Sequence, residues 1–185
     1  MTSFTPAKKI FHTEAMVGSI IFTAIISLQT YAQPSRNNAT QIATNWASPK
    51  IIYVNPSSGK DAPNTGINQS TRLNTITYAR QQASPRTIIK LAPGTYSTQS
   101  GEVPLVLKPG VTLEGNQSTK GENIVINGGD RYISRTFAQN VTVIADKDST
   151  ISGVSISNPN KHGTAVWIES GSPILKNNTF AQSHH

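Results

Sequence analysis

Residues 143–156 (VIADKDSTISGVSI) lie over residues 167–180 (WIESGSPILKNNTF) without a gap, at one constant offset. Val143 falls on Trp167, Ile144 on Ile168, Ile151 on Leu175 and Ile156 on Phe180. Between the apolar pairs stand Asp, Ser, Gly and Asn, which favour turns. A fixed period of roughly two dozen positions, built from short β-type runs and Gly/Asn corners, predicts an all-β solenoid. In such a stack the paired residues form columns along the axis. Asn177 or Asn178, beside the Gly153-Val154 corner, is placed to bond the neighbouring turn.

The rest of the chain agrees with this reading. From Thr87 onward, short apolar runs end at Pro-Gly, Gly-Asn or Asn-Gly-Gly corners. The predicted strands are 87–91, 103–107, 111–114, 123–126, 141–145, 150–157, 164–169 and 174–176, with 50–54 ahead of them. Two-residue hairpin loops of the kind that build sandwiches are absent from the sequence. Residues 70–83 (STRLNTITYARQQA) are the one convincing helix of the mature chain. Leu73, Ile76, Ala79 and Ala83 make its apolar stripe, Ser70 or Thr71 is placed to cap it, and Ser84-Pro85 ends it. A stack of strands has an end to cover, and this helix is assigned as its N-terminal cap.

Residues 1–32 read as a secretory signal peptide. Lys8 and Lys9 form the positive start, residues 15–28 are a short, mostly apolar run, and cleavage is expected after Ala32. The run is short of the ~20 residues a membrane span needs, so an uncleaved anchor is the lesser alternative. No later stretch of the sequence can span a bilayer. Residues 33–49 are polar and read as a flexible linker, residues 50–180 as the strand-rich domain and residues 181–185 as a tail. The net charge is +7, which falls to +6 when Lys8, Lys9 and Glu14 leave with the leader. That charge suits an anionic glycan or surface, but no basic run exceeds two residues, so scattered solvation is the better reading. There is no cysteine, so an exported domain must hold together without disulfides.

A family resemblance follows from several motifs. They are Tyr53-Val54, Gly59-Lys60-Asp61, Thr75-Ile76 and Ala79, then LAPGTY at 91–96, GVTL at 110–113 and NNTF at 177–180. With them the chain resembles the uncharacterised N-terminal domain of bacterial right-handed parallel β-helix proteins, pectin-lyase-like in fold. The resemblance implies a right-handed parallel β-helix with one N-terminal capping helix and an exported location. It implies no activity. Such β-helices continue for more turns, so this chain reads as truncated at its C-terminal end, with an open edge available for self-association.

Candidate chemistry is sparse. Asp146 and Asp148 are the one close acidic pair, and the matching positions one period on are Ser170 and Ser172, so no stacked acidic cluster is expected. Asp61 and Asn64 lack the oxygen spacing of a calcium loop. His162 stands alone in a turn. No P-loop, dinucleotide fingerprint, zinc spacing or nucleophile elbow occurs, and the aromatics do not interleave with a basic stripe. No cofactor, metal, catalytic residue or nucleic-acid partner is therefore expected. Trp167 has two readings: core, from its alignment with Val143, or an outward sugar-stacking platform with Glu169 two residues on. The candidate ligand-binding residues are Trp167, Glu169, Asp146 and Asp148. The leading expectation is an exported, non-catalytic module that binds polysaccharide or forms part of a cell-surface structure. The alternative is the N-terminal part of a polysaccharide lyase or hydrolase whose active site lies on further turns.

Overall fold

The computed structural model describes residues 48–181, all within one compact unit that begins at Ala47. The expected signal peptide, most of the linker and residues 182–185 lie outside the described residues. The described chain is mostly strand, in parallel sheets, with one α-helix.

The strands are β1 (Lys50–Val54), β2 (Thr87–Leu91), β3 (Gly94–Ser97), β4 (Leu105–Val106), β5 (Thr112–Glu114), β6 (Ile124–Asn127) and β7 (Asp130–Ile133). They continue with β8 (Ala138–Ala145), β9 (Thr150–Ser152), β10 (Ser155–Ser157), β11 (Thr164–Ile168), β12 (Ile174–Lys176) and β13 (Thr179–Ala181). Sheet A has the order β1-β2-β5-β9-β12, sheet B β13-β10-β6-β3 and sheet C β11-β8-β4. From β2 onward the chain enters A, then B, then C, and returns to A for the next pass. Every pairing between passes is parallel, and β7 alone adds an antiparallel partner, to β8.

Parallel pairing stacks like on like. Ile52, Ile89, Leu113, Ile151 and Leu175 form one column through sheet A. Tyr96, Ile126, Ile156 and Phe180 form the column of sheet B, and Leu105, Val143 and Val166 that of sheet C. The three columns meet in one apolar core. Each fully buried Ile or Leu contributes about 1.5–3 kcal/mol relative to exposure.

The offset of the sequence repeat holds for Ile151/Leu175 and Ile156/Phe180. It fails by one residue in sheet C, where Val166 pairs with Val143, Trp167 with Ile144 and Ile168 with Ala145. The extra residue is taken up in the corner before β12, one residue longer than the corner before β9. A slip of one residue exchanges the faces of a strand. The Val143/Trp167 and Ile144/Ile168 columns of the ungapped alignment are therefore corrected. Spacing also varies between passes. The step from Leu113 to Ile151 is longer than the step from Ile89 to Leu113, because β7 and its turn are inserted.

Asn178 clamps a corner. Its Oδ1 accepts the Val154 N–H at 3.1 Å and its Nδ2 donates to the Ile151 carbonyl at 2.8 Å. The expected cross-turn bond is present, made by Asn178 to the backbone of the neighbouring pass. Residues 116–121 form a strap at the same corner. Gly121 is held at φ +84, where an added Cβ would collide with the Val154 backbone. Only glycine allows this approach.

The helix, α1, spans Ile76–Gln82, not 70–83. Leu73 belongs instead to a parallel bridge with Val54, and Asn68 Oδ1 accepts the N–H groups of Ser70 and Thr71, which fixes a turn there. Thr75, not Ser70 or Thr71, is the N-cap, accepting the Tyr78 N–H. The apolar stripe is nonetheless buried in the core, where α1 packs against β1 and β2. Charge secures both ends of this short helix. Asp61 accepts the Asn74 and Thr75 N–H groups and the Thr75 hydroxyl. Glu102, 2% exposed, accepts the Ile76 N–H at 2.7 Å and the Thr77 N–H and hydroxyl at 2.8 and 2.9 Å. At the other end Lys50 donates to the Gln82 carbonyl, and Lys108 to those of Gln81 and Ala83. The signs match the helix dipole.

Burial pushes the Glu102 carboxyl above its ordinary value, against the opposing pull of the Ile76 and Thr77 donors. The folded state then holds this proton more tightly than the unfolded chain. The group's contribution to stability is therefore full below the ordinary carboxylate range and declines as pH rises through the folded value. Glu102→Ala leaves two helix N–H groups without an acceptor. We expect it to lower stability by about 1–3 kcal/mol in urea unfolding and to remove that part of the pH dependence. Unchanged stability would show that the carboxylate does not anchor α1.

Among the described residues, β12 and β13 pair on one side only, and Ile174, Leu175 and Phe180 on them are 58%, 39% and 50% exposed. Hydrogen exchange of this chain by itself is expected to be faster in residues 174–180 than in residues 87–91, which pair on both sides. Equal protection in the two segments would mean that the outer edge is covered.

Candidate functional site

The inserted hairpin brings together the residues that sequence analysis left apart. β7 and the first half of β8 pair from Asp130 with Val141 to Ile133 with Ala138. The loop between them is closed by Ser134, whose hydroxyl donates to the Phe137 carbonyl at 2.9 Å and accepts the Thr136 and Phe137 N–H groups. The closed turn leaves the Arg135 N–H directed at the next pass, where Glu169 Oε1 accepts it at 2.9 Å.

Trp167 stands on β11 opposite Ile144, on the face away from Val143 and the core column. The side chain therefore stands outside the core column, half-buried. Its indole N–H donates to Glu169 Oε2 at 3.0 Å. Phe137 meets the indole edge-on, with ring centroids 6.3 Å apart and planes at 70°. The Tyr132 phenol on β7 lies close enough to Glu169 for each group to shift the ionisation of the other. Tyr132 and Trp167 are half-buried, while Ile133 and Phe137 are exposed. Trp167 and Tyr132 thus flank one carboxylate on the outer side of sheet C, and Phe137 packs against the indole.

The electrostatics follow from these contacts. The Arg135 N–H, then the Trp167 and Tyr132 donors, hold Glu169 below the ordinary carboxylate range. Tyr132 is pushed up by burial first, then by the Glu169 charge, with a smaller effect from Asp146. Glu169 is therefore a fixed anion near neutral pH. Two hydrogen-bond donors, the Arg135 N–H and the Trp167 indole, engage it, out of about four lone-pair positions on a carboxylate.

Of the four candidate residues, Trp167 and Glu169 are in direct contact, and Asp146 lies near enough to act on Tyr132. Asp146 Oδ1 accepts the Lys147 N–H and its carbonyl accepts the Ser149 N–H and hydroxyl, which shapes the corner. Asp148 sits exposed in that corner at φ 56. Tyr132, Arg135 and Phe137 were missed. The signal available for them was the long step from Leu113 to Ile151, whose surplus has to leave the stack and carries Tyr132, Ile133 and Phe137 with it.

The other polar groups have structural roles. Asp61 and Glu102 serve α1, and Glu114 pairs with Lys90 at 3.1 Å. His162 occupies a turn at φ 57. Asn158 is buried, donates to Asn140 and Thr164, and ties the corner between sheets B and C. Among the described residues, no three His, Cys, Asp or Glu side chains are grouped to hold a metal ion.

Residues 57–185 match the family described as Protein of unknown function (DUF1565), and the chain belongs to that family. No curated protein matches it.

Glu169→Gln keeps the shape of the cluster and removes its charge. The phenol of Tyr132 is then expected to titrate at lower pH, because the anion that disfavours its ionisation is gone while the burial remains. NMR of the tyrosine ring carbons against pH reads this directly. An unmoved titration would mean that Glu169 does not govern the site.

Proposed function

We propose that this chain is an exported, non-catalytic module that binds carbohydrate at the Tyr132–Phe137–Trp167–Glu169 cluster. The observation that carries the reading is an outward aromatic surface built around a pre-positioned carboxylate. Sugar rings present C–H faces that pack on aromatic rings, and their hydroxyls donate to a carboxylate with acceptor capacity left. The candidate leader at 1–32, with Lys8, Lys9 and its short apolar run, supports export. Among the described residues, no helix is long and apolar enough to cross a membrane. Engagement of Asp61, Glu102 and Glu114 in structural bonds supports a non-catalytic role.

In this reading the three sheets close into a right-handed parallel β-helix of the pectin-lyase-like kind found in bacterial proteins, with α1 as its N-terminal cap. The cyclic order of the sheets supports the closure. The handedness rests on the strong general preference of parallel crossovers for the right-handed sense. A second reading is favoured by the exposed Ile174, Leu175 and Phe180. Further passes or a second copy would cover them. On further passes a polysaccharide-cleaving site would make this chain the first part of a lyase or hydrolase.

The test is a pull-down of the protein on a panel of insoluble polysaccharides, followed by titration with soluble oligomers of any that bind. Trp167→Ala is expected to weaken binding about tenfold, since a ring's packing surface is lost. Binding unchanged in that variant, or no binding across the panel, overturns the proposal. Release of unsaturated products absorbing in the near ultraviolet, or of new reducing ends, replaces it with the second reading.

A further inference from the structure

Sheet A carries a second feature, on a different sheet and independent of the carbohydrate reading. Where β1 and β2 end, a pocket of about 180 Å³ opens between Tyr53, Gln69, Arg72 and Lys90, floored by Val54, Leu91 and Ala92. Tyr53 and Lys90 are register partners across β1 and β2, and Glu114 is the next residue of that column. The pocket is thus a product of the strand register and of the segment 66–73 that returns to β1.

We propose that this pocket binds a singly charged oxyanion, a carboxylate or phosphate diester, carried on a ring-sized ligand. Arg72 is the anchoring residue. Its side chain is half-buried, and among the described residues its guanidinium has no hydrogen-bond or ion-pair partner. A guanidinium offers five donors in a planar fork matched to carboxylate and phosphate oxygens. The backbone around it is already set. The Arg72 carbonyl accepts the Lys60 N–H, the Leu73 N–H donates to Tyr53, and the Asn68 side chain accepts both the Ser70 and Thr71 N–H groups. The backbone that carries Arg72 therefore needs no reordering when a ligand arrives, and the cost left is that of fixing its side chain.

Charge selects the class. Lys90 is paired with Glu114 at 3.1 Å, so those two charges offset one another and Arg72 leaves the site with one net positive charge. That balance fits a monoanion and disfavours a metal ion. Two cations at one pocket are too few for a nucleic-acid backbone, which needs a run of phosphate contacts. Tyr53 supplies a flank for the ligand's ring and Gln69 an amide for a second polar group. The volume limits the ligand to about one ring with its substituent.

The experiment is a two-dimensional amide NMR titration of the whole chain at low salt. The probes are cyclohexanecarboxylate, dimethyl phosphate and, as uncharged control, cyclohexylmethanol. The expected result is saturable movement of the amides of residues 53, 69, 72 and 90 with at least one anion and none with the control. The two anions separate carboxylate from phosphate-diester recognition. Arg72→Gln is expected to weaken binding by about tenfold or more, as loss of charge-assisted hydrogen bonds does. Arg72→Lys, which keeps the charge and loses the fork, is expected to fall between. No saturable movement up to about 50 mM, well beyond the millimolar range of a weak site, overturns the proposal. So does equal movement with the uncharged control, or undiminished binding by Arg72→Gln. Titration of the unsubstituted protein decides the matter even if a variant fails to fold.

Discussion

Each strand of this protein takes its register from the strand laid down one pass earlier, and that obligation organises the rest. A parallel ladder repeats every two residues, so a shift of one would carry the buried set to the outside. The column Ile52–Ile89–Leu113–Ile151–Leu175 stays aligned although the chain between successive members is of unequal length. The ladder tolerates such variation only because surplus residues are expelled at the corners. Residues 55–86 leave as a long loop with α1, and residues 128–140 leave largely as the β7 hairpin.

Both features with chemical potential arise where these excursions return to the stack. The β7 hairpin supplies Tyr132, Arg135 and Phe137 to Trp167 and Glu169 of the following pass. The loop after β1 supplies Gln69 and Arg72 to Tyr53 and Lys90. The division of labour is physical. A strand residue inside the stack is constrained by partners on both sides and by an apolar column. A corner residue is constrained mainly by its own turn, so corners can carry rings and charges that a column cannot.

Much of the stack was legible in the sequence, because apolar runs bounded by Gly and Asn are read locally. β1, β2 and β12 fall where the runs predict, and Leu175 and Phe180 find their partners at the offset of the repeat. The one-residue difference between the corners before β9 and β12 was not legible, since turn residues carry no periodicity to count. That single residue reverses the face of Trp167. The helix was drawn too long because Leu73 fits a helical stripe as well as it fits a bridge to Val54, and only the fold distinguishes them. Trp167 and Glu169 were legible as residues two apart on one strand. Their partners on β7 were not, because a contact between passes leaves no trace in local sequence. β3 and β13 were missed for a related reason: at four and three residues they acquire strand character from their neighbours.

The strap at residues 116–121 has a consequence for the order of assembly. Most contacts reach back one pass, so a chain emerging from the ribosome can stack as it appears, each pass templated by its predecessor. The strap is different. Gln117 accepts from Asn177 and the Lys120 carbonyl accepts from Thr179, sixty and fifty-nine residues downstream. Those bonds have no partner until the second later pass has been made. The strap is bonded first to the next pass, at Gly153 and Ser155, and then latches across the corner when residue 179 arrives. The pass that carries β12 and β13 is thus held from its side as well as from beneath.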